Sequence, residues 1–144
     1  MATQNFRNHG KIVPVFHYFT SFAIFAVTIG SFVNLSNSWR DHSNLYSASL
    51  ICVITLILGS FYVFIRSFPL RAQDRAIRAE ENLRHFALTG KLLDKRLRLG
   101  QIIALRFADD EEFVELARKA VEENLRAGEI KKTIRNWRAD EHRL

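Results

Sequence analysis

Formal charge is almost missing from one long part of this chain. Between Ile12 and Ile65 the only Asp, Glu, Lys or Arg residues are Arg40 and Asp41. Cysteine is nearly missing throughout: the single Cys52 excludes an intramolecular disulfide and any Cys-rich metal cluster. Neither G-x-S-x-G, H-E-x-x-H, C-x-x-C nor a glycine-rich phosphate loop occurs, so no enzymatic activity and no cofactor are expected. The five histidines are scattered. Asp140, Glu141 and His142 are adjacent, but consecutive helical residues point in different directions and make no metal site unaided. The acidic run at residues 109–112 lacks the glycine and ligand spacing of a calcium loop.

What is present divides the chain in two. Of the 21 basic residues, only Arg7, Lys11 and Arg40 precede Arg66; of the 15 acidic residues, only Asp41 does. The 48% hydrophobic content is therefore an average over an apolar part and a highly charged part. The apolar part holds two uncharged runs, IVPVFHYFTSFAIFAVTIGSFVNL (12–35) and YSASLICVITLILGSFYVFI (46–65). About 20 helical residues cross a hydrocarbon core of about 30 Å, so each run predicts a transmembrane helix. The first is too long for a signal-peptide core and offers no A-x-A cleavage pattern, which predicts that it stays as an anchor. The expected organisation is a short segment 1–11, a span 12–35, an external loop 36–45, a second span 46–65 and a helical domain 66–144. The fold class is all-α: a two-helix transmembrane hairpin followed by a cytoplasmic bundle of three to four amphipathic helices.

Orientation follows from the basic flanks, which are retained on the cytoplasmic side. Arg7 and Lys11 precede the first span, and Arg66, Arg71, Arg75 and Arg78 follow the second, whereas the loop has only Arg40 beside Asp41. Both termini are expected to be cytoplasmic, with Trp39 and Tyr46 at the outer interface and Tyr18 and Tyr62 at the inner one. The four arginines after the second span are expected to contact the membrane surface, where anionic headgroups attract Lys and Arg.

Small residues let helix backbones approach closely in lipid. Ala48, Cys52, Thr55 and Gly59 recur along one side of the second run, and Ala23, Ala26 and Gly30 along the first, which predicts that the spans pack through these stripes. His17 is ionisable within a span, but the second span has no histidine to complete a bis-imidazole site, so it is expected to rest neutral at the interface.

In the charged part, Pro69 suits a first helical turn, and Ala72, Ala76, Ala79, Leu83 and Phe86 follow as a heptad-like seam closed by Gly90. KLLDKRLRLGQIIALRF predicts a second helix with Leu93, Leu97, Ile102, Ile103 and Phe107 inward. Asp109 and Glu112 have capping-box spacing at the start of a third, which would bury Phe113, Ala117, Ala120, Val121 and Leu125 and end at Gly128. A last helix from Glu129 would carry Ile130, Ile134 and Trp137 into the core. Helix is expected almost throughout.

The segments QIIALRFADDEEFVEL and EIKKTIRNWRADEHR, after two apolar runs, resemble an uncharacterised family of small two-span inner-membrane proteins of Bacteroidetes-type bacteria. The resemblance implies a bacterial inner-membrane location and brings no activity or catalytic residue with it. The expected function is that of a membrane-anchored interaction module, an accessory or regulatory subunit of a membrane complex or a homo-oligomer. A lipid-binding role for the basic segment 66–106 is the alternative. Nucleic-acid binding through Lys131, Lys132, Arg135 and Arg138 is disfavoured, because no recognition-helix pattern accompanies the positive charge.

Overall fold

The structure is a computed structural model that describes residues 5, 6, 10 and 12–139. Arg7, Lys11 and the run Asp140, Glu141 and His142, all invoked above, lie outside the described residues, as does His9. The described chain is all-α: a π-helical turn Val15–Thr20 runs into α1 (Ser21–Asn37), followed by α2 (His42–Thr89), α3 (Leu99–Leu105), α4 (Asp110–Glu122) and α5 (Ala127–Thr133). Two compact units divide it, Lys11–Phe68 and a second made of Met1–Gly10 with Pro69–Leu144.

In the apolar unit, Val15–Asn37 and α2 are long and apolar enough to cross a membrane. Their hydroxyl side chains bond to their own helices: Thr28 Oγ1 donates to Ile24 O at 2.7 Å, Ser31 Oγ to Thr28 O at 2.7 Å and Thr55 Oγ1 to Cys52 O at 2.8 Å. Polar side chains on such helices thereby find partners without water. The π turn follows Pro14, and the Oγ1 of Thr20 reaches back five residues to Val15 O at 3.0 Å. Between the helices Asp41 accepts the Ser43 N–H at 3.1 Å and its hydroxyl at 2.7 Å; these bonds hold its carboxyl below the usual range.

In the charged unit, Pro69 does not open a helix as the sequence suggests but lies inside α2, where its missing N–H is tolerated. Gly90 does end that helix, at φ +71° and with its N–H on Phe86 O at 2.7 Å, a conformation only glycine adopts freely. The next segment corrects the expected helix from Lys91. Residues 90–98 are irregular, because side chains take their backbone groups: the Leu93 N–H goes to Asn82 Oδ1 of α2 at 3.2 Å and the Arg96 N–H to Asp94 Oδ1 at 2.8 Å. Leu93 and Leu97 are nevertheless buried. Helix resumes at Leu99, where Gln101 Oε1 accepts the Arg98 N–H at 2.7 Å.

Asp109 caps α4 by accepting the Asp110 N–H at 2.8 Å, yet the expected capping box is not formed. The Asp109 N–H bonds instead to Asn136 O at 3.2 Å, and Glu112 turns its carboxylate to the N–H groups of Arg135 and Asn136 at 3.1–3.2 Å. Another correction concerns Gly128, which lies within α5; α4 ends at Glu122, and Asn124 takes the left-handed turn at φ +50°. The C-terminal helix also differs from expectation. α5 stops at Thr133, Ile134 is extended, and Trp137 pairs with Ala108 in an isolated antiparallel bridge. Lack of alternation hid this short edge from the sequence reading.

The core of this unit joins Leu93, Leu97, Ile102, Leu105, Phe113, Leu116, Ala117, Ala120 and Ile130, with Val121 and Ile134 half-buried against it. Gln101 is the polar member, 4% exposed, and its amide donates to Ala120 O at 3.2 Å and Leu125 O at 2.8 Å. Replacing Gln101 with alanine removes the amide donor of Leu125 O, while Ala120 O keeps the Leu125 N–H at 3.1 Å, and is expected to cost about 1–3 kcal/mol, measured by denaturant unfolding of the full chain in detergent.

Candidate functional site

The helical module is built on one side of α2. Ile77, Glu81, Asn82, Arg84 and His85 face its covered side, and Arg84 gathers the contacts. Its Nε donates to Asp110 Oδ1 at 2.6 Å, one terminal nitrogen to Glu81 Oε2 at 3.2 Å and the other to Ala108 O at 2.8 Å, and its guanidinium lies 4.3 Å from the centre of the Phe113 ring. One planar fork therefore ties α2 to the start of α4 and to the turn before it. Glu81 is buried, and that burial raises its pKa above the ordinary 4.5 even though Arg84 pulls the other way.

Because the polar side of α2 is turned inward, the heptad-like seam faces out. Ala72, Ala76 and Ala79 are exposed, as are Leu83 (68%) and Phe86 (51%). The sequence marks these residues as one heptad-like line, and the module leaves that line uncovered. Charge networks on the opposite side, which no apolar periodicity reveals, decide which face is covered.

Arg71, Arg75 and Arg78 are exposed and Arg66 is half-buried. Ala48, Cys52 and Thr55 are buried and Gly59 is half-buried. Ala26 and Gly30 are exposed, and a Cβ added to Gly30 meets nothing within 4 Å. The buried residue of α1 is Ser31 instead, whose Oγ lies 3.2 Å from Thr55 Oγ1. Ser21 Oγ lies 2.6 Å from the Tyr62 hydroxyl, and Tyr62 stacks on Phe16 at 4.6 Å. Small hydroxyl residues, rather than alanine and glycine, supply the close approach from α1. His17 turns its Nδ1 back to the Val13 backbone, 3.1 Å from the nitrogen and 3.0 Å from the oxygen. In the charged unit Phe113, Ala117 and Ile130 are buried, Val121 and Ile134 half-buried, and Trp137 stacks on Phe107 with ring centres 4.7 Å apart.

A second feature is an open cleft of about 510 Å³ between residues 85–97 and α4, with His85, Thr89, Asp94, Arg96, Arg118 and Glu122 among its polar lining. Four of its charges pair with one another: Arg96 with Asp94 at 2.7 Å and Arg118 with Glu122 at 2.6 Å. The His85 ring meets Lys91 O at 2.7 Å. The Arg96 side chain and N–H together hold the Asp94 carboxyl down at about 2. A folded-state pKa below the ordinary 3.8 means that Asp94 adds stability above pH 4 and loses it as the pH falls towards 2. A carbon-detected NMR titration is expected to find Asp94 ionised at pH 3, and Arg96→Ala is expected to return it towards the ordinary value.

Among the described residues no cluster of three or more His, Cys, Asp or Glu is placed to hold a metal ion. No curated protein and no solved structure matches the chain. One family model matches residues 1–144, described as a family of unknown function (DUF6526).

Proposed function

The chain belongs to the DUF6526 family of unknown function, and from its own geometry we propose that it is a membrane-anchored interaction module. In this reading the two apolar helices insert as a hairpin, the termini lie on the cytoplasmic side of a bacterial inner membrane, and the charged unit is a helical bundle that assembles with membrane proteins as an accessory or regulatory part. The observation that carries it is the outward seam on α2. Leu83 and Phe86 stand exposed on a helix whose other side carries Ile77, Glu81 and Arg84 against the module, which is the surface expected of a protein that works by contact. Crosslinking in native cells, followed by mild detergent extraction of the tagged full-length chain and mass spectrometry, tests it. A stoichiometric partner crosslinked through residues 72–86, whether a second copy of the chain or another protein, is the expected result; a monodisperse, uncrosslinked monomer overturns the reading.

A second reading rests on Arg71 and Arg78, exposed and seven residues apart on one line of α2 after the second apolar run. There they would hold anionic headgroups, each adding about 1 kcal/mol near a charged leaflet. Reversing both to glutamate is expected to strip co-purifying anionic lipid from the detergent-extracted chain; unchanged lipid in native mass spectrometry overturns this role.

A further inference from the structure

The outward seam of α2 has the register of a parallel two-stranded coiled coil, and we propose that a second copy of this chain occupies it. Ala72, Ala76, Ala79, Leu83 and Phe86 are spaced by four, three, four and three residues, which places Ala76 and Leu83 at a positions and Ala72, Ala79 and Phe86 at d positions. All five are exposed. The flanking positions select the partner. Arg75 takes the g position before Ala76, and Glu80 takes the e position after Ala79. In a parallel pair a g residue faces the e residue of the other helix five places on, so Arg75 of each copy meets Glu80 of the other. The remaining flanks, Gln73, Asn82 and Ala87, are uncharged. The charged flanks are thus complementary to themselves in parallel and in register, whereas an antiparallel pair sets g against g and e against e, Arg75 towards Arg75. A symmetric contact makes the pair twice.

Three alanines bury little area but allow close approach, and Leu83 with Phe86 supplies most of the apolar contact. So small a seam binds weakly in free solution. This inference rests on the membrane-anchored reading for its strength: copies confined to one bilayer with the same orientation are already parallel and concentrated, which turns a weak contact into a populated one.

The test uses the full-length chain in its native membranes with Cys52→Ser, so that one introduced thiol is the only one. Leu83→Cys is expected to form a disulfide-linked dimer under mild oxidation, and Arg78→Cys, off the seam, to form little. In the Leu83→Cys background Arg75→Glu or Glu80→Arg is expected to lower the dimer yield about fivefold, the size of two exposed pairs made repulsive, and the double exchange to restore it. Rescue by the double exchange separates a lost contact from a lost fold. Equal crosslinking at 83 and 78, a different protein crosslinked at 83, or no rescue overturns the proposal. Carbonate extraction in parallel separates the two readings. A chain released by carbonate that still dimerises at 83 refutes the anchor and keeps the dimer, and one retained without an 83 crosslink does the reverse.

Discussion

Replacing Arg84 with methionine is expected to destabilise the charged unit by about 3–5 kcal/mol, the cost of removing one member of a buried ion pair. Methionine keeps the apolar stem but removes the fork that binds Asp110, Glu81 and Ala108 O. The side chains of Arg84 and Glu81 are only 11% and 9% exposed, so Glu81 is left charged in a site closed to water. Asp110, at 59%, is rehydrated and matters little. The pH dependence carries the signature. Glu81 already has a raised pKa in the folded state, so its contribution is most favourable below the ordinary 4.5 and falls as the pH rises through the folded value. Loss of Arg84 raises that value further, and the defect is therefore expected to shrink on acidification. Denaturant unfolding of the full chain in detergent, read by Trp137 fluorescence after Trp39→Phe, measures both effects. Adding Glu81→Gln to Arg84→Met is expected to recover part of the loss, because it removes the stranded charge. A pH-independent defect without recovery would mean that Arg84 acts through its packing on Phe113 and its bond to Ala108 O rather than through Glu81.

What the sequence discloses and what it hides divide along the range of the interaction. The two apolar helices were legible because a lack of charge over more than twenty residues is a local property. So was the stop at Gly90, which one residue's left-handed conformation determines. The segment 90–98 was not legible. Leu93 and Leu97 have helical spacing and are indeed buried, but Asn82, on another element, takes the Leu93 N–H. Glu112 misled for the same reason: its spacing from Asp109 fits a local cap, and its carboxylate serves a strand-like segment 23 residues later. The seam on α2 is the instructive case. Periodicity identified Leu83 and Phe86 as one apolar face, and only the Arg84 network shows that the module is attached to the other side. On α1, composition drew attention to Ala26 and Gly30, while the contact to Thr55 is made by Ser31, whose hydroxyl also satisfies its own helix.

Phe107→Ala is the second change of large effect, expected to cost about 3–5 kcal/mol as a fully buried aromatic truncated to a methyl group. More than volume is lost. The Phe107 ring stacks on Trp137 and lies 4.6 Å from the Arg106 guanidinium and 5.2 Å from the Lys131 ammonium, so it joins α3, α5 and the C-terminal segment at one point. Its backbone also accepts the Arg138 N–H at 2.8 Å, and that bond survives the substitution. The variant therefore separates two explanations for the ordered edge at residues 134–138. If ring stacking holds it, Phe107→Ala releases Trp137, with a red-shifted emission and rapid protease cleavage after residue 133 in a chain whose helices persist by circular dichroism. If the Glu112 carboxylate holds it, Glu112→Ala is the variant that releases the edge, since it removes the acceptor of the Arg135 and Asn136 N–H groups. The aromatic stack is expected to dominate. Glu112 is only half-buried and water can replace its carboxylate on those N–H groups, whereas nothing replaces an aromatic ring beneath Trp137.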